Sequence, residues 1–185
     1  MTNPASSLDF GAGAGQKRIA IRVSVNGTSV EALVSPRQSL ADFLRNDLGL
    51  TATHLGCEHG VCGACTLRLD GRTVRSCLVY AVQLDGHRVE TLEGLADDPL
   101  MCALQEAFVD ANALQCGFCT PGILMTAHEY LSDAADHAGA KAADAPDTTA
   151  IRTHLSGNLC RCTGYQPIVE AISAVQSARN RTGAL

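Results

Sequence analysis

The sequence lacks the features by which a chain binds nucleic acid or crosses a membrane. No run of lysine or arginine forms a stripe, and 19 acidic residues outnumber 14 basic ones, for a net charge of -5. Such a chain has too few clustered cations to neutralise nucleic-acid phosphates. No apolar stretch approaches the length of a membrane span. We therefore predict a soluble chain that binds no nucleic acid and has no membrane span.

Catalytic and export signals are also missing. The chain has no G-x-S-x-G motif, no phosphate-binding glycine loop and no pair of carboxylates that its spacing singles out. Residues 1–18 contain neither an early basic cluster nor an apolar core, so they do not resemble a secretory or twin-arginine signal. We therefore expect a cytoplasmic chain with reduced thiols, and expect substrate bonds to be made and broken on another chain.

Cysteine, in contrast, is abundant, with nine residues in all. Eight of them form two sets of four, spaced C-x4-C-x2-C-x11-C and then C-x2-C followed after 40 residues by C-x-C. The first spacing opens as the ligand run of plant-type ferredoxins, and four thiolates are the ligand set of one 2Fe-2S cluster. Two such clusters predict an electron relay between two partners. The first set is Cys57, Cys62, Cys65 and Cys77, and the second is Cys116, Cys119, Cys160 and Cys162.

Spacing alone leaves structural zinc open as an alternative. Four cysteines in two pairs also bind zinc, and this alternative fits the second set better than the first. Around the first set, Gly56, Gly60 and Gly63 favour a loop curled around a cluster, because glycine adopts backbone conformations that other residues resist. The ninth cysteine, Cys102, falls on the buried side of a predicted helix and is expected to act as a small apolar residue. The six histidines show no ligand spacing and are interpreted as structural or exposed.

The N-terminal half has the pattern of strands. Residues 19–34 alternate between apolar and polar side chains on either side of Asn26-Gly27. This pattern predicts a β-hairpin with a type I′ turn. A helix is predicted to begin at Ser39 and to stop at Gly49. A second hairpin follows the cysteine loop and turns at Asp70-Gly71. This order predicts a small mixed sheet with one helix packed across it.

The C-terminal half has the pattern of helices, because from Asp98 onward the apolar period rises from two to about three and a half residues. Residues 132–147 are interpreted as a loop insert, and residues after 178 as a frayed tail. Four helices are predicted, opening at Asp98-Pro99, at Thr120-Pro121, at Thr148 or Thr149 and at Pro167.

Three motifs carry a family resemblance: GCEHGVCGAC at 56–65, QCGFCTPG at 115–122 and GNLCRCTGY at 157–165. They closely resemble the iron-sulfur subunit of the molybdenum hydroxylases, the xanthine oxidase and aldehyde oxidoreductase family. The resemblance runs from about residue 18 to residue 175 without a missing ligand. Because all three motifs occur in register, the zinc interpretation of the second set falls.

The resemblance implies an α+β fold with two domains. A plant-ferredoxin-like β-grasp domain with one 2Fe-2S cluster would occupy residues 18–94. An all-α four-helix-bundle 2Fe-2S domain would occupy residues 95–178, with 132–147 as its loop insert. The tails would be residues 1–17 and 179–185.

The resemblance also implies a function and partners. The chain would transfer electrons from a molybdopterin centre on a large subunit to FAD on a middle subunit, in a heterotrimer or a dimer of heterotrimers. The reaction would be hydroxylation or dehydrogenation of an aldehyde, purine or N-heterocycle. The alternatives are a free-standing double-cluster ferredoxin and a zinc-stabilised interaction module.

The resemblance further implies a role for each site residue. Gln115 and Cys162 would contact the pterin. The cluster near molybdenum would be held by Cys116, Cys119, Cys160 and Cys162, and the cluster near FAD by Cys57, Cys62, Cys65 and Cys77.

Overall fold

The N-terminal half folds as a five-stranded mixed sheet in a computed structural model that describes residues 17–136 and 146–182. The strands are β1 (Ile19–Val25), β2 (Thr28–Val34), β3 (Thr66–Leu69), β4 (Arg72–Arg75) and β5 (Arg88–Glu90). Their order in the sheet is β2-β1-β5-β3-β4. The pairs β1-β2, β3-β4 and β3-β5 are antiparallel, whereas β1 and β5 are parallel.

Both predicted hairpins are confirmed, and their turns explain why. Asn26 and Gly27 have φ angles of 51° and 78°, and Asp70 and Gly71 have φ angles of 51° and 85°. Two consecutive positive φ angles are the requirement of a type I′ turn. The short strand β5 was not predicted, because its three residues are too few for their alternation around the buried Val89 to indicate a strand.

The helix predicted after Ser39 is confirmed in position, although its second half differs in form. The Ser39 hydroxyl accepts a hydrogen bond from the Asp42 N–H at 3.0 Å, as an N-cap does. Helix α1 (Leu40–Asp42) then continues as a π-helical turn over Phe43–Asp47. Gly49, at φ 71°, ends the segment. The completely buried side chains of Leu40, Phe43 and Leu44 pack this segment onto the sheet.

Four helices form the C-terminal half around a second core. They are α2 (Pro99–Asp110), α3 (Thr120–Asp136), α4 (Thr148–His154) and α5 (Gln166–Thr182). α2 packs on α3 and α5, and α4 packs on the same two helices. The α+β class is thus confirmed, whereas the more specific four-helix-bundle description stays a prediction. Over residues 17–136 and 146–182, no helix has both the length and the apolar character needed to cross a membrane.

Three boundaries of the helical half differ from the predictions. Asp147, rather than Thr148 or Thr149, caps α4, because its carboxylate accepts from the N–H groups of Thr149 and Ala150. Helix α3 continues to residue 136, into the segment predicted as a loop, and α5 continues past residue 178. Arg179 donates to the carbonyl oxygen of Leu131 at 2.7 Å, so the two helix ends stabilise each other. Residues 1–16, 137–145 and 183–185 lie outside the described residues.

The expected burial of Cys102 is wrong. The completely buried position on this part of α2 is Met101, and Cys102 lies half-buried beside it with its thiol 3.3 Å from the carbonyl oxygen of Ala96. Since consecutive helical residues are about 100° apart, a one-residue error in phase moves a side chain off the core face.

Candidate metal centres

The first cysteine set lies on the loop between α1 and β3, with Cys77 just beyond β4. Cys65 is buried and the other three are half-buried. The N–H groups of Cys62 and His59 point at the Cys57 sulfur, at 3.3 and 3.4 Å. On the other side, the thiols of Cys65 and Cys77 contact each other. The side chains of Cys57 and Cys62 contact each other as well, so the four sulfurs lie as two neighbouring pairs.

Two glycines explain how this loop can curl. Gly60 and Gly63 have φ angles of 77° and 72°, a region that side chains with a Cβ resist. Gly56 serves differently: a Cβ added there would lie 3.2 Å from the Cys62 sulfur and 3.3 Å from the Phe118 ring. The glycines predicted to shape the loop thus act through positive φ and close approach together at Gly60 and Gly63, and through close approach alone at Gly56.

The second cysteine set draws together two distant segments. Cys119 immediately precedes α3, and Cys160 lies between α4 and α5. The sulfurs of Cys116 and Cys162 are 3.5 Å apart, and the thiols of Cys119 and Cys160 contact each other. Each contact joins one member of the C-x2-C pair to one member of the C-x-C pair, which the spacing alone does not reveal.

In each set, the environment makes one thiol easy and another hard to ionise. The N–H groups of Cys62 and His59 lower the pKa of Cys57 to about 6. Burial, followed by the neighbouring Cys65 thiol, raises the pKa of Cys77 to about 11. Burial raises the pKa of Cys119 to about 12, with Cys160 adding to the shift. Since metals bind thiolates, loading either set must release protons.

Thr163 and Tyr165 hold Cys160, and sequence reasoning missed both. Burial raises the pKa of Cys160, but hydrogen bonds with the hydroxyl and N–H of Thr163, together with the Cys162 N–H and the Cys119 thiol, outweigh it and leave the pKa lowered. The Cys160 N–H donates to the Tyr165 hydroxyl at 2.8 Å. The sequence did contain a signal for Thr163, since a hydroxyl residue three positions after a cysteine can reach back to its sulfur.

The donor sets fit two-iron clusters. Across 17–136 and 146–182, no three His, Cys, Asp or Glu side chains gather around one point as a single ion would need. The sulfurs lie two by two, and a 2Fe-2S cluster takes four thiolates, two on each iron. N–H groups aimed at the sulfurs are the outer contacts that such clusters use.

Comparison with known proteins agrees with this geometry. Residues 23–105 match a family described as a 2Fe-2S iron-sulfur cluster binding domain, and residues 91–173 match a second, described as a 2Fe-2S binding domain. Caffeine dehydrogenase subunit gamma of Pseudomonas sp. (strain CBB1) is 54% identical, over 84% of this chain and 89% of that protein. The xanthine dehydrogenase iron-sulfur-binding subunit of Escherichia coli O157:H7 is 41% identical, over 83% and 92%.

A solved structure shows the same fold. Quinoline 2-oxidoreductase from Pseudomonas putida 86 superposes with a TM-score of 0.78 at 44% identity, covering 91% of this chain and 99% of that chain. This chain belongs to the iron-sulfur subunits of the molybdenum hydroxylases. It is therefore an oxidoreductase component with two 2Fe-2S binding domains.

The two sites of this iron-sulfur subunit differ in exposure. Cys116 and Cys162 are exposed, and Gln115 beside them is exposed as well. The structure thus places Gln115 on the open side of the second set, next to a candidate ligand. No described contact of its side chain assigns it a role, so its predicted contact with a pterin stays a prediction.

Proposed function

We propose that this chain is the electron-transfer subunit of a multi-subunit molybdenum hydroxylase, carrying electrons from a molybdopterin centre on a large subunit to FAD on a middle subunit. The supporting observation is that the eight sulfurs lie in pairs at two sites, and that the loops carrying the two sites are directly hydrogen-bonded. The Leu159 N–H donates to the Cys62 carbonyl oxygen at 2.8 Å, which joins a loop of the first set to a loop of the second.

The cysteines supply the binding chemistry of this proposal. Each set would hold one 2Fe-2S cluster, which supplies one-electron oxidation and reduction when bound. Burial of Cys65 keeps water from the inner side of the first site, and the N–H groups at Cys57 stabilise its thiolate. At the second site, Thr163 stabilises the Cys160 thiolate in the same way. The chain would thus fix where an electron resides without reacting with substrate.

Exposed apolar side chains next to both sites support contact with partner subunits. Val61 and Leu78 are 64% and 60% exposed and adjoin Cys62 and Cys77. Near the second set, Leu114, Phe118 and Leu159 are 40%, 47% and 53% exposed. Large exposed apolar residues grouped at a site mark protein contacts.

We assign the second set to the molybdenum side and the first to the flavin side. The exposed triplet of Gln115, Cys116 and Cys162 gives the second site an open, polar edge, which suits a pterin amide or amine. We further propose that the helical half is the four-helix-bundle 2Fe-2S domain of this family. All nine cysteines are free, which favours the reducing environment of the cytoplasm.

The compounds on which related proteins act indicate the substrate class. Caffeine and xanthine are purines, and quinoline is an N-heterocycle. We infer an aromatic N-heterocycle or purine, selected by the large subunit rather than by this chain.

Copurification tests the proposal. The chain should be expressed with the products of its neighbouring genes, then assayed for molybdenum, iron, labile sulfide and flavin, and its spectrum followed after a purine or N-heterocycle is added. We expect a complex whose iron-sulfur absorbance bleaches on substrate addition. An isolated, monomeric carrier that serves several reductases would instead support a free-standing ferredoxin, and a colourless zinc protein would contradict both.

A further inference from the structure

The two cysteine sets meet along a seam of backbone. We call this the domain seam: residues 62–64 of the first loop, packed against Gly122 at the start of α3 and against residues 157–159 before Cys160. A Cβ added at Gly63 would lie 2.3 Å from the Gly157 carbonyl oxygen, and one added at Gly122 would lie 2.3 Å from the Gly63 carbonyl oxygen. Real Cβ atoms do not approach so closely, so the seam allows no side chain at either glycine.

One polar side chain, that of Asn158, fills the centre of the domain seam. Asn158 is 2% exposed, and its amide nitrogen donates to the Gly63 carbonyl oxygen at 3.0 Å. Its amide oxygen lies 3.1 Å from the Thr126 hydroxyl, which also lies 2.9 Å from the Gly122 carbonyl oxygen. A single amide therefore joins the first loop, the helix that follows Cys119 and the segment that leads to Cys160.

Arg75 and Thr66 brace the same place from the sheet. The guanidinium of Arg75 donates to the Gly157 carbonyl oxygen at 2.8 Å and to the Thr66 hydroxyl at 2.6 Å. That hydroxyl donates to the Gly63 carbonyl oxygen at 2.5 Å. Buried polar groups that are fully bonded fix one arrangement, because any shift leaves a desolvated donor or acceptor without its partner.

We propose that Asn158 is a positioning residue that fixes the distance between the two cysteine sets, and so the rate at which an electron passes between them. Its side-chain hydrogen bonds go to Gly63, Thr66 and Thr126, so it acts through the backbone segments that carry Cys62, Cys119 and Cys160. The role rests on the proposed electron-transfer function and adds to it the residue that controls the spacing. Electron tunnelling falls steeply with distance, so a small opening of the domain seam slows it.

Asn158→Asp is the sharpest variant, because the replacement has the same shape. It keeps an acceptor for Thr126 but sets a carboxylate oxygen against the Gly63 carbonyl oxygen, where a donor had been. Thr126→Val is the milder variant and removes only the hydroxyl beside the amide oxygen. Asn26→Asp is the matched control. The side-chain amide of Asn26, in a hairpin turn, bonds Thr91, and its described hydrogen bonds reach neither a cysteine nor the domain seam.

The test measures the magnetic interaction between the two reduced clusters in the full chain loaded with iron and sulfide. This interaction falls with the cube of the distance, and it reports spacing without any turnover. We expect a split electron paramagnetic resonance signal in the wild type and in Asn26→Asp, a smaller splitting in Asn158→Asp, and an intermediate one in Thr126→Val. In the assembled complex, flavin reduction by substrate should slow several-fold in the same order, with iron content unchanged.

An unchanged splitting in both Asn158→Asp and Thr126→Val would overturn the positioning role while leaving the relay intact. If Asn158→Asp does not assemble both clusters, Thr126→Val decides, and wild-type splitting in that variant overturns the role. A wild-type chain that never binds two 2Fe-2S clusters contradicts the proposed function instead, so the two failures are distinguishable.

Discussion

The two cysteine sets show how one chain builds the same kind of site in two ways. Three of the four sulfurs in the first set come from one nine-residue loop, 57–65, whose glycines shape it locally. The second set joins two pairs separated by 40 residues, with α3 and α4 between them. The first site is thus encoded by a local loop, whereas the second exists only when the helices are packed.

The largest effect is expected from substitutions that remove one site at a time. Cys119→Ser should abolish the second cluster and with it substrate-driven flavin reduction, whereas diaphorase activity of the flavin subunit should persist. Cys65→Ser should remove the first cluster while iron remains at the second. Iron and labile sulfide analysis of each variant checks this.

Cys102→Ser is the matched control, since Cys102 is half-buried and belongs to neither set. It should keep the full iron content. Loss of both clusters from either single-site variant would contradict the independence of the two sites.

Truncating a core side chain should further distinguish the stabilities of the two sites. Leu104 is completely buried in the helical core and Leu67 in the sheet core. Replacing either with alanine should cost about 2–5 kcal/mol of unfolding free energy. Because the second site needs packed helices, Leu104→Ala should release its cluster at lower urea concentration than the first. Absorbance and circular dichroism followed together during urea unfolding measure this, and simultaneous loss of both clusters in Leu104→Ala would count against it.

Crowding the domain seam should cost less than emptying a core. Gly63→Ala combines a positive φ with a Cβ 2.3 Å from the Gly157 carbonyl oxygen, and overpacking of this kind costs about 1–3 kcal/mol. Gly71→Ala is matched in φ, at 85°, but has open space around the new Cβ. It should lose only the conformational part, about 1–2 kcal/mol. Equal unfolding free energies for the two variants would mean that the seam is not tight.

The smallest expected effect depends on pH and comes from His128, where α3 meets the sheet. Its Nε2 lies 2.8 Å from Asp98, and the Arg68 guanidinium lies 2.5 Å from its Nδ1. Burial lowers the pKa of His128, and the positive charges of Arg68 and Arg179 lower it further, against the opposing effect of Asp98. The Ser132 hydroxyl also lies near Nδ1, and Arg68 pairs in turn with Glu90.

The sign follows from linkage. A histidine whose folded pKa is lowered stabilises the fold above its unfolded pKa, which is about 6.5, and that stability is lost as pH falls toward the folded value. The pKa of Asp98 is also lowered, by its bonds to Met101 and His128 despite burial, so its contribution is lost only in a more acidic range. Between about pH 8 and about pH 5, the urea midpoint of the wild type should fall more than that of His128→Gln. Parallel pH profiles of the two proteins would show that His128 does not cause the pH dependence.

Local signals predicted most of the fold, and long-range contacts account for what they missed. Asn26-Gly27 and Asp70-Gly71 require positive φ angles, and Pro99 and Pro121 open helices, so these elements followed from single residues. Strand β5 escaped prediction because it forms only by pairing with β1 and β3, which lie far away in sequence.

The same division holds at the candidate site. Spacing and motifs identified the eight cysteines, but the contact of Cys116 with Cys162 depends on how α3, α4 and α5 pack. Asn158 gave no signal of its own, because its partners, Gly63 and Thr126, lie on other segments. Sequence patterns thus predict which residues bind, and the structure shows how the two candidate sites are joined.

The most direct test of the account is low-temperature electron paramagnetic resonance of the full chain, loaded with iron and sulfide and reduced stepwise. We expect two distinct 2Fe-2S signals that split as the second cluster becomes reduced, since Cys62 and Leu159, one from each site, are hydrogen-bonded. One signal only, or two that never interact, would contradict the claim that these eight cysteines hold two clusters in a coupled relay.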